Sequence, residues 1–134
     1  MNACVLDTDV VIAALDRRDA NHDRAAAAIT AMIDMDTQLL LSLVNYAETL
    51  VRPAENDETL RAATEALTSL GIRLVAPTPA IAREAARHRR QNISLADGFA
   101  IATADAHAAS IASFDLRVRR ALPMIGVSLA AELA

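Results

Sequence analysis

Five acids in this 134-residue chain have positions that call for a chemical explanation: Asp7, Asp9, Glu48, Asp97 and Asp115. Asp7 and Asp9 end the apolar run "ACVLDTDVV". A carboxylate there can cap a helix, accept a phosphoryl group as a nucleophile, or form one corner of a metal site. The other acids have plain roles too. Glu48 can pair with Arg52 at i,i+4, Asp97 can join Ser94 in a capping-box variant, and Asp115 can cap a short helix running to Leu122. Asp9 is read mainly as a cap and secondarily as extra charge near the site. Four carboxylates at one place would repel and stay partly protonated without a cation. A hard divalent ion, Mg²⁺ with Mn²⁺ as the alternative, suits an all-oxygen set completed by water.

The apolar pattern sets the elements that must position these acids. Residues 3–6, 37–42, 72–75, 110–113 and 124–128 are short, continuous apolar stretches, as in strands buried on both faces. Helical periodicity lies between them. Leu60, Ala63, Leu67 and Leu70 mark one face before the stop at Gly71, and Thr78 with Pro79 opens the next helix. Glu48 is expected beside an apolar helical face of Val44, Ala47 and Val51. Alternating strands and helices predict one α/β domain over 1–134, with a mainly parallel central sheet of about five strands. In such a sheet the ligand crevice lies outside the C-terminal strand ends. Asp7 and Asp115 meet there if their strands are neighbours, with Glu48 and Asp97 reaching in from helices.

Composition excludes several classes. Net charge is −4, every one of the 13 basic residues is arginine, and Tyr46, Phe99 and Phe114 are the only aromatics. Lysine chemistry and an extended base-stacking platform are therefore out. The single cysteine, Cys4, excludes an internal disulfide and reads as core. His22, His88 and His107 lack metal-ligand spacing and read as surface or boundary residues. With no basic leader and no long apolar run, a cytoplasmic protein without a membrane span is expected.

"VLDTDVVIA", "LSLVNYAETL", "ISLADGFAIATA" and "IASFD" resemble, in order and spacing, the four acidic motifs of PIN-domain ribonucleases, nearest to VapC-type toxins. The resemblance runs from Ala3 to about Val127. It implies a three-layer, Rossmann-like PIN fold. It also implies metal ligation by Asp7, Glu48, Asp97 and Asp115, with Ser113 standing where the family more often has threonine. Asp9 stands where that family usually has asparagine. The implied activity is Mg²⁺-dependent endoribonucleolytic cleavage of structured RNA such as tRNA or ribosomal RNA, leaving a 5′-phosphate and a 3′-hydroxyl. The implied partners are a cognate VapB-like antitoxin, the RNA and a second copy of the chain in a homodimer.

Two rivals share parts of this pattern. "DTDVV" also fits haloacid dehalogenase-like phosphatases, with Asp7 as nucleophile, but the cation that chemistry normally takes from lysine is missing. A PIN-like module that binds RNA or protein without cutting is the other. Two arginine groups, Arg83, Arg87, Arg90 with Arg89, and Arg117, Arg119, Arg120, are either solvated faces or tracks for RNA phosphates.

Overall fold

Four parallel strands form the centre of the protein, in the order β3-β2-β1-β4. The computed structural model describes residues 2–134. In chain order the elements are β1 (Ala3–Leu6), α1 (Thr8–Leu15), α2 (His22–Asp34), β2 (Gln38–Ser42), α3 (Leu43–Leu50), α4 (Asp57–Ser69), β3 (Arg73–Val75), α5 (Pro79–His88), α6 (Leu95–Ala106), β4 (Ser110–Ala112) and α7 (Leu116–Ile125). Short 3₁₀ turns follow α3, α5 and the last loop.

The strands are continuously apolar because both sheet faces are covered. Cys4, Leu6, Leu39 and Leu41 point to one face and pack with Val10, Met32 and their neighbours on α1 and α2. Val5, Leu40 and Ile111, aligned across three strands, point to the other face under α6 and α7. This gives the expected three layers. Cys4 is a core residue, with its thiol pushed up to about 11 mainly by burial.

The predicted helix starts and stops hold at named side chains. Thr78 Oγ1 accepts from the amide of Ile81, Ser94 Oγ from that of Asp97, and α4 closes at Gly71 with a left-handed φ of +73°.

Two expectations need correction. The stretch 124–128 is not a strand: α7 runs on to Ile125, past Leu122, and stops at the left-handed Gly126. Beyond Gly126 the chain reaches the sheet by a single parallel bridge, Leu129 to Ile111, so the sheet has four strands rather than five. On α3 the inward residues are Asn45 and Thr49, while Ala47 is exposed and Val51 is 68% exposed. That helix turns its polar stripe inward, where Asn45 donates to the Thr8 hydroxyl and the Ala96 carbonyl at the starts of α1 and α6 and Thr49 donates to the Asn45 carbonyl.

Strand order places the ends of β1 and β4 side by side. β1 runs into Asp7 and β4 into Ser113, and the Asp7 amide donates to the Ala112 carbonyl at 2.9 Å. α6, which carries Asp97 in its first turn, is held tightly on α5. A Cβ on Gly98 would lie 2.7 Å from the Ala85 carbonyl oxygen, so only glycine permits this crossing.

Candidate functional site

Asp7 is only 1% exposed, and it caps α1 while facing two other acids. Its Oδ1 accepts from the Thr8 amide at 2.9 Å, capping α1. Its Oδ2 accepts from the Ser113 hydroxyl at 2.7 Å. Burial pushes its pKa well above the usual carboxylate range, and the negative charges of Asp97 and Asp9 push it further. The Ser113 bond pulls the other way. Ser113, fully buried, also accepts from the Asp115 amide at 3.1 Å, so one hydroxyl links Asp7 to the last acidic motif.

Asp115 is half-buried and caps α7 through bonds from the Arg117 and Val118 amides, 2.8 and 3.3 Å long. Asp97 is half-buried in the first turn of α6. Asp9 is not a cap. It sits inside α1 and accepts at Oδ2 from the Phe114 amide, 3.1 Å away, while its buried Oδ1 has no partner. Burial pushes Asp9 up to about 6; the Phe114 bond opposes this, and Asp97 and Asp115 add to it.

Glu48 is exposed at the rim. The alternative pair with Arg52 does not form among the described residues; Oε1 accepts instead from Thr8 Oγ1 at 2.7 Å. Thr8 and Asn45 escaped the sequence reading, although Ser42, Asn45 and Thr49 make a polar stripe at helical spacing.

The histidines and arginines take varied places. His22 is half-buried and bonds the Ala13 carbonyl, and His107 ends α6 in solvent. His88, expected near the surface, is buried at 9% exposure because it lies on the inward face of α5 with Ile81 and Ala85. Arg119 is not a solvated cation: it donates to the carbonyls of Ser113 and Leu133, each at 2.9 Å. Arg87 pairs with Glu84. Arg117 and Arg120 line a 260 Å³ pocket with Gln91 and Asn92.

Among the described residues no three Asp, Glu, His or Cys side chains stand close enough to enclose an ion alone. Mg²⁺ does not need that, since it is usually held by one or two carboxylates and keeps several waters. The Asp7–Asp97 pair, with the orphaned Asp9 Oδ1 nearby, is an all-oxygen donor set whose mutual repulsion a cation would relieve. These residues fit a hard divalent ion.

A profile of the PIN domain matches residues 4–121, most of the chain. The chain belongs to the PIN domain family. Solved structures share this PIN fold. FitAcB from Neisseria gonorrhoeae is 24% identical with TM-score 0.69, covering 96% of this chain and 97% of its own. VapBC2 from Rickettsia felis, bound to a promoter DNA fragment, is 12% identical with TM-score 0.74, covering 95% and 96%. Mycobacterium tuberculosis VapC20, a sarcin–ricin loop cleaving toxin, is 18% identical with TM-score 0.69, covering 88% and 94%. Comparison with curated protein sequences finds no match. PIN membership displaces the dehalogenase-like reading of Asp7. No helix of the described residues is long and apolar enough to cross a membrane.

Proposed function

We propose that this PIN domain is a metal-dependent endoribonuclease and the toxin of a toxin–antitoxin pair, acting on structured RNA in the cytoplasm. The observation that carries the reading is the buried Asp7 carboxylate, bonded to Ser113 and facing the charge of Asp97. An acid kept there is costly to ionise unless a cation shares the site.

Asp7 and Asp97 would hold the ion, with Glu48 and Asp115 at the rim as further oxygen donors. When bound, Mg²⁺ or Mn²⁺ supplies Lewis-acid polarisation of the phosphodiester and a water acidified towards neutral pH. Ser113 orients Asp7 from behind and ties Asp115 to it. Asp9 holds the Phe114 amide and so fixes the loop that carries Asp115. Arg117 and Arg120, lining one pocket and carried on the helix that Asp115 caps, supply the positive charge that an acidic centre lacks for RNA.

An antitoxin partner is supported by the groove between α1, α3 and α4. It is about 780 Å³, lined by Ile12, Leu15, Val51, Ala62 and Ala66, and reaches Glu48. A segment laying an apolar face there brings a cationic side chain within reach of the carboxylates, where charge-assisted bonds replace the metal. A homodimer belongs to the same reading.

The test is RNA cleavage by the purified chain. Cleavage with Mg²⁺ or Mn²⁺ that stops on thorough chelation is expected. Cleavage that survives chelation contradicts the metal; binding of RNA with no cleavage favours the non-cutting module. Co-expression with the product of the adjacent gene, scored by growth and copurification, tests the partner.

A further inference from the structure

Asn45 is fully buried on α3, and the chemistry above does not use it. Its Nδ2 lies 3.2 Å from the Ala96 carbonyl and 3.0 Å from Thr8 Oγ1. A carbonyl only accepts, so the amide must present its NH₂ group on that side. Thr8 Oγ1 therefore accepts from Asn45, and its one proton is left for Glu48 Oε1 at 2.7 Å. Donation runs one way, from Asn45 through Thr8 to Glu48.

The three partners come from three acidic motifs. Thr8 follows Asp7, Ala96 precedes Asp97, and Glu48 lies three residues beyond Asn45 on α3. Asn45 Oδ1, in contrast, is buried without a partner. Such an atom costs stability, which an apolar side chain of similar size would recover. Asn45 thus carries an uncompensated oxygen in order to place two donors.

We propose that Asn45 is a positioning residue of the acidic centre. It directs the Thr8 proton onto Glu48 and anchors the first turn of α6, which keeps Glu48 and Asp97 in register with Asp7. The proposal rests on the metal-centre reading above and adds to it the residue that aligns the ligands.

The experiment is Mn²⁺ titration of the full chain, followed by calorimetry, with thermal unfolding of each variant in chelator as a check on folding. Asn45→Leu and Thr8→Val should each weaken Mn²⁺ binding about tenfold, in the range of losses beyond the ligand shell. Thr8→Ser, which keeps the hydroxyl, should bind like the unaltered chain. The double variant should lose no more than either single one, because both cut the same line of bonds. Unaltered affinity in Asn45→Leu, or additive losses in the double variant, overturns the proposal. Should Asn45→Leu fail to fold, the contrast between Thr8→Val and Thr8→Ser decides, and equal affinities there overturn it. An unaltered chain that binds no Mn²⁺ overturns the metal-centre reading itself, a result distinct from a variant that binds as well as its parent.

Discussion

Ser113 Oγ donates to Asp7 Oδ2 at 2.7 Å and joins the ends of β1 and β4, two neighbouring strands whose bonded residues lie 106 positions apart. The bond favours the charged form of a buried acid, so its loss has a definite sign. Ser113→Ala should raise the Asp7 pKa further and cost about 1–3 kcal/mol for a buried carboxyl oxygen left without its donor. Metal must then compete with a proton to higher pH. The pH profile of Mn²⁺ binding should move up in Ser113→Ala and stay in place in Ser113→Thr.

Asp9 gives a stability prediction. Its folded pKa, about 6, is raised above the ordinary carboxylate value, so the folded state holds more protons than the unfolded one between those values. The associated stability is present at low pH and is lost as pH rises through about 6. Asp9→Asn keeps an acceptor for the Phe114 amide and removes the charge. In chelator, its melting temperature relative to the unaltered chain should be higher at pH 7 than at pH 4. A constant difference across that range would remove the electrostatic account.

Gly98 tests the packing that sets Asp97. An added Cβ would meet the Ala85 carbonyl at 2.7 Å, and backbone cannot swing aside as a side chain can. Gly98→Ala should cost about 1–3 kcal/mol by overpacking and weaken metal binding by moving α6. Urea unfolding and Mn²⁺ titration check the two effects.

The arginines divide into working groups. Arg117→Gln with Arg120→Gln should weaken RNA binding and flatten its salt dependence. On single-stranded RNA the slope of log K against log salt should fall by about 0.7 for each phosphate no longer neutralised. Arg119→Gln should instead lower the melting temperature, since it frees the Ser113 and Leu133 carbonyls. Fluorescence anisotropy at several salt concentrations separates these outcomes. Arg83 and Arg90, exposed on and after α5, provide the comparison.

Much of this fold was legible because its signals are local. Continuous apolar runs marked four strands, and Thr78, Ser94, Asp115 and Gly71 marked helix ends through side-chain bonds or glycine geometry. Strand adjacency is a long-range property, yet the acids at the ends of β1 and β4 hinted at it. The fifth strand failed because "MIGVSL" is apolar enough for either state, and α7 claimed its first two residues. The burial of α3 failed for a different reason. Periodicity assumes that the buried stripe is apolar, whereas here it donates to a hydroxyl and to backbone carbonyls that sequence spacing does not reveal. Asn45 and Thr8 are polar residues of ordinary type, and only their meeting across 37 residues gives them a role. Arg119 was unreadable likewise, since its acceptors are backbone carbonyls.

One substitution decides whether Asp7 serves a divalent-metal centre or only caps a helix. Asparagine caps as well as aspartate through its one oxygen, and its NH₂ can donate to Ser113 Oγ in place of accepting from it, so Asp7→Asn separates the two roles. The measurement is Mn²⁺ binding by isothermal titration calorimetry on the folded, chelator-stripped chain and its Asp7→Asn variant. Binding is expected in the parent, with a loss of more than about 100-fold in the variant, beyond what changes outside the ligand shell cost. Equal affinity in the two proteins, both folded, would contradict the metal role of Asp7.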